Sequence, residues 1–169
     1  AEATTPFVAF VDDDVDLPDG WLAPLLAHLD DPRVALVAPR VTASPADSGA
    51  LADYERLRGP LDLGPAPARI AAGTRVSYVP AAVLVCRADA VRAIGAFDVS
   101  LRFGEDVDLV WRIAEAGHRA RYEPAVVVHH HVRPDIRSWI RQRGGYGSSA
   151  APLARRHPGA LAPVRMSGW

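Results

Sequence analysis

Three adjacent carboxylates, Asp12, Asp13 and Asp14, are the residues of this sequence with the clearest chemical potential. They directly follow the apolar run 6–11, whose valines and phenylalanines are typical of a buried β-strand. Side chains at the carboxyl end of such a strand face the crevice in which open α/β sheets bind ligands. Because neighbouring negative charges repel one another, the pattern indicates a bound divalent cation that can itself carry a diphosphate. The alternative is a solvated turn, in which aspartate is common.

Two further polar groups stand where secondary structure is expected to begin or end. Glu105 and Asp106 start a segment with helical spacing, and three histidines (129–131) follow the apolar residues 126–128. Acidic residues in a first helical turn usually only complement the helix dipole, and a histidine run is usually a surface feature or a structural pair. Combined with the aspartates, however, carboxylate and imidazole can hold a cation that neutralises a departing diphosphate. A further carboxylate can then act as a general base towards an acceptor hydroxyl.

The elements that must position these groups alternate between strand and helix. An amphipathic helix is predicted from Leu17 to Leu29 and a fully apolar strand at 34–38, which suits a βαβ arrangement. A second buried strand is predicted at 79–86, followed by a short helix at 87–95. Residues 43–75 lack periodicity and are predicted to be a loop region, unsuitable for a core, with one short helix near 51–58. The sequence therefore predicts an α/β fold.

Composition places the chain among ordinary globular proteins. It has 169 residues, of which 49% are hydrophobic and 23% charged, enough for one domain with a real core. No apolar stretch approaches the roughly 18–20 residues that span a bilayer. Cys86 is the single cysteine, which excludes an internal disulfide and fits a reducing compartment.

Charge is divided unevenly along the chain. Residues 1–132 carry 12 arginines against 19 carboxylates, whereas residues 133–169 carry 7 arginines against Asp135 alone. Arg133, Arg137 and Arg141 recur at helical spacing beside Ile136, Trp139 and Ile140. This basic amphipathic helix either lies on an anionic membrane surface or packs on the domain with its arginines in solvent. The segment lacks the aromatic interleaving and motifs of nucleic-acid binders, so nucleic acid is not among the expected partners.

Four segments in this order and spacing resemble the second half of a family 2 glycosyltransferase: residues 10–15, 18–22, 104–112 and 122–130. The tail at 141–158 is similar to the mycofactocin-system glycosyltransferases. The resemblance implies a GT-A-like (Rossmann-like) mixed sheet flanked by helices, lacking the N-terminal nucleotide-binding half. It divides the chain into the C-terminal half of a GT-A domain (1–131) and a basic helical tail (132–169). Such a fragment is expected to be inactive alone.

The resemblance also implies roles for individual residues in the intact enzyme. The acidic cluster matches the family's DxD motif, which places Asp12, with Asp13, at the nucleotide and Asp14 at the metal. Asp106 matches the usual catalytic base, with Glu105 as an orienting residue or as a ligand of the acceptor.

The metal shell and the mode of synthesis also follow from the resemblance. His130 fits the spacing of the family's metal-binding histidine best, and His129 is the rival because the two point to opposite sides of a strand. Gln142 is not followed by the Arg-Trp pair of processive members, which favours single or few sugar additions.

Three functions follow as expectations. The first is metal-dependent inverting transfer of a hexose, for example glucose from UDP-glucose, to a small peptide-derived or glycan acceptor such as mycofactocin. The second is a cell-envelope rhamnosyl- or galactosyltransferase with a lipid-linked acceptor, and the third is a non-catalytic binding domain that kept the fold. The expected cofactor is Mn²⁺ or Mg²⁺. The expected location is the cytoplasm, or the inner face of the cell membrane through the arginine-rich segment 133–157.

Overall fold

The computed structural model describes residues 4–161. Its six strands are β1 (Phe7–Val11), β2 (Val15–Asp16), β3 (Val34–Ala43), β4 (Ala68–Ile70), β5 (Val83–Arg87) and β6 (Arg119–His130). Its α-helices are α1 (Leu22–Ala27), α2 (Ala50–Arg58), α3 (Ala88–Ala93), α4 (Glu105–Glu115), α5 (Ile136–Ser148) and α6 (Ala150–Arg156). A 3₁₀ turn, His28–Asp30, extends α1.

All six strands form one mixed sheet in the order β1-β5-β3-β6-β2, with β4 also paired to β6. The pair β3–β6 is parallel, and the other pairs are antiparallel. The strands β1 and β3 are therefore parallel to each other, as the predicted βαβ arrangement requires, but they are not neighbours. The antiparallel strand β5 lies between them, and it can occupy this central position because its apolar side chains suit both faces of the sheet.

Helices and loops cover both faces of the sheet. Leu84 and Cys86 of β5 join a core with α3, α4 and α6, whereas Val83 and Val85 join a core with α1. This division follows from the alternation of side chains along a strand. Burial on both faces explains why the central strands are almost uniformly apolar.

The region 43–75 is more ordered than its composition indicates. The predicted helix is present as α2, but the prediction that this region is unsuitable for a core is wrong at Ile70, which is fully buried in the α4-side core. Ile70 is buried because β4 pairs with the amino-terminal half of β6, opposite Ala120. The hydroxyl of Tyr122 in β6 stabilises the loop before β4 by donating a hydrogen bond to the carbonyl oxygen of Gly64, at 2.8 Å.

The helices α5 and α6 pack against the loop that precedes α4. A Cβ added to Gly145 would clash with the ring of Phe103, and one added to Gly104 would lie 2.8 Å from the Cβ of Ser149. These approaches are closer than side chains tolerate, so glycine at both positions lets the two helices sit directly over the start of α4. Among the described residues, no helix has the length and apolar character needed to cross a membrane.

Candidate functional site

The acidic cluster lies at the carboxyl end of β1, as the sequence predicts. The backbone N–H of Asp12 donates to the carbonyl oxygen of Ala82 at 3.0 Å, which prolongs the β1–β5 pairing by one residue. The Asp12 side chain then faces a cavity. Removal of water by the surrounding protein, followed by the charge of Asp14, raises the pKa of Asp12 above its ordinary value. A cation or other positive group beside Asp12 would relieve this unfavourable environment.

Asp14 lies against the end of β6. The short strand β2 places Val15 opposite His130, and the Nε2 atom of His130 is 3.3 Å from Oδ1 of Asp14. The guanidinium of Arg133 approaches the other carboxylate oxygen of Asp14 at 3.5 Å. The structure thus brings together the two residues that the sequence analysis assigns to the metal, and it adds Arg133, which that analysis placed only in the basic stripe.

The two neighbouring histidines of β6 point in different directions. The Nδ1 atom of His129 is 3.0 Å from the hydroxyl of Thr42 on β3, whereas His130 faces Asp14 and is only 9% exposed. The alternation of side chains along the strand accounts for this difference. Geometry therefore favours His130 over His129 as a ligand beside Asp14. Asp13 is exposed, and no contact of its side chain decides its role.

Asp106 occupies the first turn of α4 and faces the same cavity. Gly104 adopts the left-handed conformation (φ 82°) immediately before the helix and turns the chain into it. Burial is the largest influence on Asp106 and raises the pKa of its carboxyl group to about 6, despite a 2.7 Å hydrogen bond from the backbone N–H of Val107. A carboxyl group with such a pKa can exchange a proton near neutral pH.

Glu105 lies beside Asp106 and carries a buried carboxylate oxygen that makes no hydrogen bond within residues 4–161. Its Oε2 atom is buried and has no hydrogen-bond partner among the described residues, and the residue itself belongs to the lining of the cavity. Buried polar atoms are usually hydrogen-bonded, so this unpaired carboxylate oxygen would gain a partner if the Glu105 side chain turned toward a donor in the cavity. A hydroxyl group is a donor of this kind.

One cavity of about 640 Å³ connects these groups. Asp12 and His130 lie on its wall together with Glu105 and Asp106, although they come from distant parts of the sequence. The cavity is large enough for a small organic ligand. Sequence reasoning missed several other lining residues: Tyr78, Trp111, Arg143, Tyr146 and Leu153.

The aromatic part of this wall gave little signal in the sequence. Burial raises the pKa of the Tyr78 hydroxyl, with a smaller contribution from Asp106, and burial likewise raises the pKa of Tyr146. Tyr78 stands in an irregular loop, and Tyr146 stands on α5 within a glycine-rich segment. The sequence does contain one signal for this wall, the run Gly144-Gly145-Tyr146-Gly147. So many glycines are unusual inside a helix, and they indicate that the segment approaches another part of the chain closely.

The protein alone supplies two neighbouring side chains for a cation rather than a complete shell. Within residues 4–161 there is no group of three or more histidine, cysteine or acidic side chains arranged to hold a metal ion. The pair Asp14 and His130 nevertheless offers one carboxylate oxygen and one imidazole nitrogen side by side. This donor set suits Mn²⁺ or Mg²⁺ when a bound molecule completes the coordination with its own oxygens.

Comparison with known proteins shows the family of the chain. Residues 7–153 match the family model described as Glycosyl transferase family group 2. The chain belongs to this glycosyltransferase family. It is 51% identical over 168 residues to proteins named pre-mycofactocin glycosyltransferase from two strains of Mycobacterium tuberculosis, CDC 1551 / Oshkosh and H37Rv. These alignments include 99% of this chain but 36% of each relative, so the chain spans about a third of their length.

Two solved structures share the fold of this glycosyltransferase chain. One is the mannosyltransferase PcManGT from Pyrobaculum calidifontis in complex with GDP-Man and Mn²⁺, with a TM-score of 0.64 and 22% identity over 95% of this chain and 42% of that chain. The other is GalNAc-T7 with UDP, GalNAc and Mn²⁺, with a TM-score of 0.53 and 17% identity over 77% of this chain and 28% of that chain.

These findings confirm the predicted GT-A-like α/β fold and the predicted family. The similarity to the mycofactocin-system glycosyltransferases is confirmed as well, by the identity to the two mycobacterial relatives. The roles of the individual site residues stay predictions, and so does the domain boundary between residues 131 and 132.

Proposed function

We propose that this chain is part of an enzyme that transfers a hexose from a nucleotide sugar to a hydroxyl group of pre-mycofactocin. The observation that carries the proposal is the single cavity shared by Asp12, His130 and Asp106. The 51% identity to pre-mycofactocin glycosyltransferases supports the choice of acceptor. UDP-glucose is the donor that we expect.

Asp106 is the proposed general base. Its carboxylate takes the proton from the acceptor hydroxyl as the hydroxyl oxygen forms a bond to the anomeric carbon of the sugar, and the bond from that carbon to the diphosphate breaks. Attack from the side opposite the departing diphosphate inverts the anomeric configuration. Glu105, which lines the cavity beside Asp106 and has a buried carboxylate oxygen unpaired in the described part of the chain, is the proposed residue that orients the acceptor by accepting a hydrogen bond from it.

Asp14 and His130 are the proposed protein ligands of a divalent cation, with Asp12 and Asp13 at the nucleotide. When bound, the cation neutralises negative charge that develops on the departing diphosphate. Arg133, whose guanidinium is 3.5 Å from the Asp14 carboxylate, adds a fixed positive charge beside the proposed cation. The two solved relatives of this fold each contained Mn²⁺ and a nucleotide or nucleotide sugar, which supports the assignment.

The complete enzyme is proposed to be longer than this chain. The chain spans 36% of the pre-mycofactocin glycosyltransferases, and residues 1–131 are proposed to be the second half of a GT-A domain. The first half would contribute most of the surface for the nucleoside. Functional experiments are therefore designed for the full-length enzyme that contains this chain.

The proposed reaction is tested by incubating the full-length enzyme with UDP-glucose, Mn²⁺ and pre-mycofactocin, and analysing the acceptor by mass spectrometry. The expected result is an acceptor heavier by one or a few hexose units, together with released UDP. A non-catalytic domain that kept the fold would give neither product. Unchanged pre-mycofactocin with every common nucleotide sugar would contradict the proposal.

The pH dependence of the reaction should show the ionisation of the Asp106 carboxyl group. A base acts only in its ionised form, and burial raises the pKa of Asp106 to about 6, so activity should be lost as the pH falls through about 6. In kcat/KM measured from pH 5 to 8 at saturating Mn²⁺, we expect a plateau above pH 7 and an acid limb near pH 6. A profile that stays flat down to pH 5, as expected for a base with the ordinary pKa of an exposed aspartate, would contradict the assignment.

A lipid-linked acceptor is the second candidate, favoured by the outer face of α5. Ile136 and Ile140 are 53% and 57% exposed on this helix, and Arg137 and Arg141 are exposed as well. Exposed apolar and cationic side chains on one helix suit the surface of an anionic membrane. On this reading the enzyme works at the inner face of the cell membrane.

The membrane proposal predicts binding to vesicles that contain anionic lipid. The double variant Arg137→Glu with Arg141→Glu should lose this binding, because both charges are reversed at the surface. Arg143→Glu is unsuitable as a control, since Arg143 pairs with Glu55 inside the cavity wall. The double variant Arg58→Glu with Arg69→Glu, which reverses two exposed charges outside α5, is the matched control. Sedimentation that is the same for wild type and the double variant would contradict membrane binding by α5.

A further inference from the structure

A buried polar network joins α6 to the helix that begins with the proposed base. His157 follows α6 and is 5% exposed. Its Nε2 atom is 2.9 Å from Oδ1 of Asp108, and its Nδ1 atom is 2.8 Å from Oε1 of Glu115. Both carboxylates belong to α4, so one imidazole ring contacts that helix at two places, almost two turns apart.

The network continues beyond the histidine. Asp108 is 1% exposed, and its second oxygen accepts a 2.7 Å hydrogen bond from Nε of Arg112. The remaining nitrogens of Arg112 donate to the carbonyl oxygens of Ile94 and Ala96, at 2.6 and 2.7 Å. A buried carboxylate is tolerated when it is paired and hydrogen-bonded in this way. The end of α6 is thus attached to α4 and, through it, to the turn after α3.

The same helix α6 forms a wall of the cavity. Ala150 and Leu153 of α6, with Ser149 directly before this helix, line the cavity beside the start of α4. The Cδ1 atom of Leu153 would lie 3.0 Å from a Cβ on Gly104, the residue directly before Glu105. Leu153 therefore packs closely against the start of the turn that carries Asp106. The indole of Trp111 connects the two regions, since it lies in the cavity lining and packs edge-on against the His157 ring with centroids 5.1 Å apart.

We propose that His157 is a positioning residue for the acceptor: by fixing α6 to Asp108 and Glu115, it sets the distance between the Leu153 wall and Asp106. The inference rests on the proposed function, because it takes the α6 side of the cavity as the acceptor side. The reasons are that Gly104, directly before Glu105 and Asp106, packs against Ser149 and Leu153, whereas Asp14 and His130 meet where β2 pairs with the end of β6. The apolar and aromatic lining near α6, which includes Trp111 and Leu153, suits an acceptor with an apolar or aromatic group beside its hydroxyl.

The variant His157→Phe tests the proposal in the full-length enzyme with UDP-glucose and pre-mycofactocin. Phenylalanine keeps a ring against Trp111 but removes both polar contacts to α4. We expect the KM for the acceptor to rise about tenfold, equivalent to ~1.4 kcal/mol, while the KM for UDP-glucose stays unchanged. Hydrogen exchange of the backbone amides in 150–157 should also become faster, which is measurable without turnover.

Two further variants separate positioning from general stability. Glu115→Gln removes one charge from the network with little change of shape and should raise the acceptor KM in the same direction, but less. Arg156→Ala is the control, because it removes a surface pair with Asp98 at the same helix end and should leave both KM values unchanged. If His157→Phe does not fold, Glu115→Gln must still raise the acceptor KM selectively.

The outcomes distinguish this inference from the proposed function. Absence of transfer by the wild-type enzyme would overturn the proposed function itself. Transfer by the wild type, with an acceptor KM that is unchanged in His157→Phe and Glu115→Gln, would overturn only the role of His157. A parallel rise in the KM values of donor and acceptor would also overturn it, because a loosened fold affects both substrates.

Discussion

Replacing Asp106 with asparagine in the full-length enzyme should lower kcat by at least about 100-fold, the usual contribution of a general base. Asparagine keeps the shape of the side chain but cannot accept the proton of the acceptor hydroxyl. The affinity for UDP in the presence of Mn²⁺ should remain the same, because the proposed ligands of the cation are Asp14 and His130, which contact each other. Single-turnover kinetics and calorimetric titration with UDP measure the two quantities separately.

The control for this variant is Asp89→Asn. Asp89 also lies in the first turn of a helix, α3, but it is not part of the cavity lining. The control should retain the activity of the wild type. Turnover by Asp106→Asn at the rate of the control would remove Asp106 from the role of base, whereas loss of UDP binding in this variant would show that the change disturbs the donor side instead.

Replacing either proposed cation ligand should weaken metal-dependent donor binding at least about tenfold. Asp14→Asn removes the negative charge with little change of shape, and His130→Ala removes the imidazole that faces it at 3.3 Å. Titration of the full-length enzyme with UDP, with and without Mn²⁺, gives the metal-dependent part of the affinity. The loss should appear with Mn²⁺ present and be small without it.

The adjacent histidine provides a matched control for this experiment. His129→Ala deletes the same side chain one residue earlier in β6, where it contacts Thr42 instead of Asp14. UDP affinity in the presence of Mn²⁺ should therefore be close to that of the wild type. Weakened binding in His129→Ala with normal binding in His130→Ala would reverse the assignment and favour the rival histidine. The thermal stability of each variant shows whether the fold is intact.

The parts of the fold that were predictable are those with strong local patterns. The apolar runs that became β1, β3 and β5 and the amphipathic repeat of α4 were all found from the sequence. The short strands β2 and β4 were not, because two or three residues carry no periodicity and form only through pairing with β6. The position of β5 between β1 and β3 also depends on tertiary pairing, so the sequence order alone could not reveal it.

The candidate site was predictable on its acidic side and not on its aromatic side. Carboxylates at 12–14 and at the start of α4 stand at positions that strand and helix boundaries indicate. The wall formed by α5 and α6 depends on close packing between distant residues, such as Gly145 against Phe103, and on a histidine whose partners are more than 40 residues away. Such contacts leave no periodic trace in a single sequence.

The most direct test of the account is the anomalous diffraction of Mn²⁺ in crystals of the full-length enzyme with UDP. We expect one strong peak within coordination distance of the Asp14 carboxylate and of Nε2 of His130. A peak held by other side chains, with the Asp14 carboxylate turned away from the nucleotide, would contradict the proposed site.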